Sequence, residues 1–106
     1  MEEYELIIRD LMNETGFDRE DAVEIVQEGM ISFLGLIAEI EDGYEKFGME
    51  ETLRKLHKLK GASANLRMKS VARKIAEVEN FGKSGEVEDL KKALLGVKEY
   101  LQDLNK

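Results

Sequence analysis

The chain of 106 residues has no cysteine, no proline, no tryptophan and a single histidine. Without cysteine there is no disulfide framework, no thiolate metal site and no thiol nucleophile. One histidine excludes any site that takes two imidazoles from one chain. No apolar run approaches the roughly 18 residues needed to span a membrane. The opening MEEYE has neither a basic n-region nor an apolar h-region, so a cytoplasmic protein without a secretory signal is expected. Neither G-x-x-x-x-G-K-[ST] nor G-x-G-x-x-G occurs, which removes the usual nucleotide-binding loops. The lack of proline favours long helices joined at some of the 9 glycines. What is present is 42% hydrophobic and 37% charged residues, enough for one core under a highly charged surface. Residues 1–106 are read as a single domain.

The charge is segregated. The whole chain carries −7, yet the stretch from Thr52 to Ala76 holds eight cations (Arg54, Lys55, Lys58, Lys60, Arg67, Lys69, Arg73 and Lys74) and no acidic residue. The rest of the chain, with the other eight cations and all 23 acidic residues, is left at −15. A basic island in an acidic protein suits one local anionic partner. It disfavours general nucleic-acid binding, because the net charge repels a phosphate backbone over ~8–10 Å. The plainer alternative is a solvated cationic helix face balanced by acidic neighbours.

Apolar residues recur at steps of three and four throughout, and no segment alternates with period two. A short helix is expected over residues 2–13, ended by Thr15-Gly16. Asp18 reads as the N-cap of a long helix to Phe47, with Val23, Val26, Met30, Phe33, Leu34, Ile37, Ile40, Tyr44 and Phe47 along one stripe. Gly29, Gly35 and Gly43 lie inside it, so a bend near Gly43 or close helix contact at Gly29 and Gly35 is expected. Further helices are expected over 49–66, 69–81 and 86–104, separated at Gly48, near Arg67 and at Gly82–Gly85. Short connections make neighbours antiparallel, giving an all-α, antiparallel up-down four-helix bundle with a short N-terminal capping helix. Met12, Met30 and Phe33 are candidates for an exposed apolar patch.

Helix geometry places the lone histidine. At about 100° per residue, Leu56, Leu59, Ser63 and Leu66 define an inward stripe, and His57 projects about 130° away from its centre. Gly61 and Ala64, at i+4 and i+7, are the two smallest side chains available. A mid-helix glycine costs roughly 1 kcal/mol relative to alanine, and clearance above the imidazole supplies a reason for it. Lys60, at i+3, sets an ammonium within one turn. An exposed imidazole, a neighbouring cation and an open surface suit the transient holding of a phosphoryl group. Imidazole is a nucleophile near neutral pH, and cations stabilise the roughly two negative charges that a phosphoryl group brings.

His57-Lys58-Leu59-Lys60-Gly61-Ala62-Ser63-Ala64-Asn65-Leu66 resembles the H-x-L-K-G-S/A-S/A-x-x-L signature of histidine-containing phosphotransfer (HPt) domains. Leu53, Leu56 and the Glu77-Val78-Glu79 stretch resemble the family less specifically. The resemblance implies a four-helix phosphocarrier in two-component phosphorelays. His57 would accept a phosphoryl group from a receiver aspartyl phosphate or from a sensor histidine kinase and pass it to a response-regulator receiver domain. Lys60 would support the phosphate, Gly61 and Ala64 would give access, and Arg54, Lys58 and Arg67 would contact the partner. The chain itself would need no cofactor, the magnesium of such transfers sitting in the receiver's acidic pocket. Family members usually have glycine where this chain has Arg67, so the helix is expected to end differently there or the turn to shift. Lys58 follows the histidine, whereas an acidic residue is normal in sensor-kinase dimerisation helices.

Two other classes compete. A helical interaction module would keep the bundle without phosphotransfer. A metal or nucleic-acid binder fits poorly, since only carboxylates could join one histidine and the acidic residues 39, 41 and 42 do not converge on one helix face.

Overall fold

A computed structural model describes residues 2–104. Among the described residues there are four helices and no strand: α1 (Glu3–Thr15), α2 (Arg19–Asn65), α3 (Lys69–Lys83) and α4 (Val87–Leu104). The 47 residues of α2 would reach about 70 Å if straight. The longest extent of the molecule is 42 Å. Gly48 resolves the difference: with φ 76 and ψ −180 it leaves helical geometry and reverses the chain. Only glycine takes this conformation without steric cost. α2 is therefore two arms, residues 19–47 and 49–65.

Cross-helix contacts fix the register. Lys55 of the second arm meets Glu39 of the first at 3.5 Å, and Gly29 lies against Leu66. Those pairs run in opposite directions along the two arms, so the arms are antiparallel. α3 returns along the second arm, with Gly82 packed so closely that a Cβ would sit 2.9 Å from Leu53 and 3.1 Å from Met49. α4 returns along α3 and beside the first arm, where Lys98 meets Glu41 at 3.2 Å. The result is the expected up-down all-α bundle. Its core joins Val26, Met30, Phe33, Ile37 and Ile40 to Leu56 and Leu59, then to Val71, Ile75 and Val78, and to Leu90, Leu94, Val97 and Leu101.

α1 caps one end of this bundle. It buries Ile7, Ile8 and Leu11. It stops at Gly16, whose left-handed φ of 80 lets its N–H donate to the Met12 carbonyl at 2.9 Å. Asp18 then caps α2, accepting from the Asp21 N–H at 2.9 Å. Arg19 donates two hydrogen bonds of 2.8 Å to Glu5, which holds the Glu5 carboxyl below its ordinary value and raises the Arg19 guanidinium. In the same first turn of α1 as Glu5 lies Glu3, and burial together with a hydrogen bond with Glu3 pushes the Tyr100 hydroxyl up to about 12.

Three expectations are corrected by packing. Gly43 stays helical, with the Phe47 ring filling the space beside it, so the first arm has no break there, and the chain turns at Gly48 as expected. Gly29 is a close contact, but Gly35 faces open space. Met30 and Phe33 are core residues and Met12 packs against the core, so they form no exposed patch. The large apolar side chains left exposed are Phe17, Ile31 and Leu95.

Candidate functional site

The second arm of α2 carries the expected site. Leu56, Leu59 and Ser63 turn inward and are fully buried, the Ser63 hydroxyl donating to the Leu59 carbonyl at 2.8 Å. His57 lies on the opposite side, its side chain 75% exposed. Gly61 and Ala64 are exposed beyond it, and a Cβ on Gly61 would meet nothing within 4 Å. The clearance inferred from helical spacing is therefore present.

Lys60 differs from its expected state. Helical spacing places it beside His57 alone, whereas its ammonium sits 2.9 Å from Oε1 of Glu79 on α3. The Glu79 side chain is only 5% exposed, and its other oxygen, Oε2, lies 3.7 Å from Nδ1 of His57. That second distance is too long for a hydrogen bond but within reach of an ion pair with a protonated ring. Glu79 Oε1 is enclosed and accepts no aligned hydrogen bond, so the Lys60 ammonium compensates it by charge. One buried carboxylate thus links the imidazole and the ammonium. Nδ1 faces this carboxylate, and Nε2 has no partner among the described residues.

Glu79 is the site residue that sequence reasoning missed. Its signal is an acidic residue four positions after buried Ile75 and beside buried Val78, on the packed side of α3. Such a carboxylate needs a partner, but only the register between α2 and α3 reveals which.

The three expected partner-binding cations separate. Lys58 is exposed and makes no ion pair among the described residues. Arg54 is 71% exposed and pairs loosely with Glu51 at 3.3 Å. Arg67 is engaged within the chain, where it pairs with Glu14 of α1 and bonds the Asn65 carbonyl. It takes the left-handed φ of 65 that its replacement of glycine made questionable, the one non-glycine residue with positive φ among those described. α1 supplies the Glu14 carboxylate that holds the arginine in this left-handed turn.

No group of three or more potential metal ligands converges among the described residues. Among the described residues no helix is long and apolar enough to cross a membrane. No curated protein and no solved structure matches the chain. A family model, the Hpt domain, matches residues 18–106, which takes in both arms of α2, α3, α4 and the His57 site. The chain belongs to the Hpt domain family, whose members serve histidine phosphotransfer in two-component signalling and interact with receiver domains and kinases.

Proposed function

We propose that the chain is a phosphorelay intermediate and that His57 is its phosphoacceptor, with residues 1–106 working as one bundle. The supporting observation is the setting of the imidazole: Nδ1 lies 3.7 Å from a buried carboxylate, while the side chain as a whole is 75% exposed and the surface at Gly61 is open. A carboxylate at Nδ1 favours the tautomer with hydrogen there, which leaves the Nε2 lone pair free. Nε2 attacks the phosphorus of a receiver aspartyl phosphate, the N–P bond forms, and the P–O bond to the aspartyl carboxylate breaks. The ring keeps its Nδ1 hydrogen and gains a positive charge, which Glu79 balances. In the reverse direction the N–P bond breaks and the ring leaves as a neutral imidazole. Lys60 supports the phosphoryl oxygens, and Gly61 and Ala64 let the receiver approach.

The test uses receiver domains labelled with radioactive acetyl phosphate. Label passes to the wild-type chain and not to His57→Gln. Label retained by His57→Gln refutes the assignment. Failure of the wild type to take label from receivers or from a histidine kinase favours an interaction module without phosphotransfer.

A further inference from the structure

Arg67 and Glu14 are each a poor choice for the local structure they sit in. Arg67 closes the second arm of α2: its N–H donates to the Ala64 carbonyl at 3.0 Å, and the next N–H, of Met68, donates to the Ser63 carbonyl at 2.9 Å. This closure takes a left-handed residue, which glycine supplies without the crowding that a β-carbon brings. The chain has arginine there, at φ 65. Glu14 lies in the last turn of α1, where the helix dipole disfavours an anion and no basic residue offsets it. Each residue finds its compensation in the other. The Arg67 guanidinium pairs with the Glu14 carboxylate and also donates to the Asn65 carbonyl. A pair built from two locally unfavourable members, 53 residues apart, is explained by the contact itself and not by either helix.

The contact sits where α1 meets the basic stretch. Glu3 and Asp10 of α1 line one groove together with Arg67, Lys69 and Ser70, so carboxylates of α1 lie beside the cations at this end of the site arm. Of the three cations expected to meet a partner, Lys58 has no ion pair among the described residues and Arg54 pairs within its own arm. Only Arg67 is tied to another helix. It stands ten residues beyond His57, about 15 Å along the arm. A standard protein interface of about 800 Å² per partner is about 30 Å across, so a partner centred on His57 reaches Arg67.

Building on the phosphocarrier reading, we propose that the Glu14–Arg67 pair is an autoinhibitory latch. Glu14 occupies Arg67 in place of a partner's carboxylate, so an acidic partner meets one cation fewer until the pair opens. Transfer is then slower than the bundle's own charges would allow, and anything that draws the end of α1 off the turn speeds it. The latch opens without unfolding α1, since Ile7, Ile8 and Leu11 are buried and the two Arg19–Glu5 hydrogen bonds hold the other end. Charge placed in this way acts on encounter and orientation more than on the chemical step.

Two substitutions open the latch with opposite consequences for the cation. Glu14→Gln frees Arg67, whereas Arg67→Gly removes it and suits the left-handed turn. Glu45→Gln, at an exposed carboxylate without an ion pair among the described residues, controls for net charge. Purified receiver domains charged with acetyl phosphate are screened, and the fastest donor is used. Phosphoramidate, a small donor that needs no docking surface, labels His57 in parallel. Glu14→Gln should speed receiver transfer about threefold or more at low salt, and the gain should vanish at about 0.5 M salt. Arg67→Gly should show no gain, Glu45→Gln should stay within about 1.5-fold, and phosphoramidate labelling should match in every variant. Amide exchange at Ile7, Ile8 and Leu11 reports whether α1 stays docked. If Glu14→Gln undocks it, Glu14→Asp, which shortens the side chain and keeps the charge, decides by the same direction of change. A Glu14→Gln rate no higher than that of Glu45→Gln overturns the latch, as does an equal gain in Arg67→Gly or a gain shared by phosphoramidate. Phosphoramidate labelling with no receiver active on either wild type or Glu14→Gln overturns it too. A chain labelled by neither donor overturns instead the phosphocarrier reading beneath it.

Discussion

Glu79 gives Lys60 two tasks that compete. In the resting chain the ammonium compensates a carboxylate that is 5% exposed, and in the proposed transfer it supports a phosphoryl group. Lys60→Ala should therefore weaken the fold as well as the phosphohistidine, because it leaves a buried charge behind. The ammonium is itself 34% exposed, so solvent screening places the loss near the lower end of about 1–3 kcal/mol. Glu79→Gln added to Lys60→Ala should recover part of that loss in a double-mutant cycle read by urea unfolding. An unchanged urea midpoint in Lys60→Ala would show that the pair carries no stability. What could be read from the sequence at this scale follows from one helix. The exposure of His57 and the clearance at Gly61 depend only on residues within about two turns. The pairing of Lys60 with Glu79 depends on how α3 docks, and no local spacing encodes that. Arg67 shows the same division: its backbone strain was visible from its replacement of glycine, but its Glu14 partner lies 53 residues away.

α1 lies outside the matched residues 18–106, yet it contributes Ile7, Ile8 and Leu11 to the core. Its polar anchors titrate at opposite ends of the pH scale. The folded Glu5 carboxyl lies below its ordinary 4.5, so its contribution is full above 4.5 and disappears as pH falls through the folded value. Tyr100 behaves inversely: raised from 10.0 to about 12, it contributes fully below 10 and loses that contribution as pH rises through 12. Stability should thus be flat across neutral pH and fall at both extremes. Glu5→Gln should flatten the acid limb and Tyr100→Phe the alkaline one, as followed by thermal melts against pH. A wild-type melting temperature constant from pH 3 to 5 would contradict the role given to Glu5. Helix starts and stops were legible because caps are local, as at Gly16 and Asp18. The break at Gly48 was legible too, whereas the bend expected near Gly43 is absent. The Phe47 ring lies against Gly43 from one turn along the same helix, whereas what separates Gly29, packed on Leu66, from Gly35, in open space, is tertiary contact that local spacing does not encode.

At the scale of the molecule, four of the eight cations between Thr52 and Ala76 are paired with glutamates from outside that stretch and Lys74 lies over the Tyr100 ring, which leaves Lys58, Lys69 and Arg73 as exposed positive charge without an ion pair among the described residues. An acidic partner face meets attraction at these cations, against a net charge of −7 for the whole chain. Raising ionic strength from about 0.05 to 0.5 M should therefore cut the second-order rate of receiver transfer by about tenfold, with phosphoramidate labelling little changed. A salt-independent receiver rate would remove electrostatic steering. The reversal at Gly48 has a different consequence. One residue joins the two arms of α2, so no slack loop can absorb a change in length. An extra residue between Gly48 and His57 would swing the imidazole by about 100° out of line with Glu79, while seven would nearly restore its bearing and carry it about 10 Å along the arm. Length in this stretch works as a reading frame: position along the helix and direction of the ring cannot be altered independently.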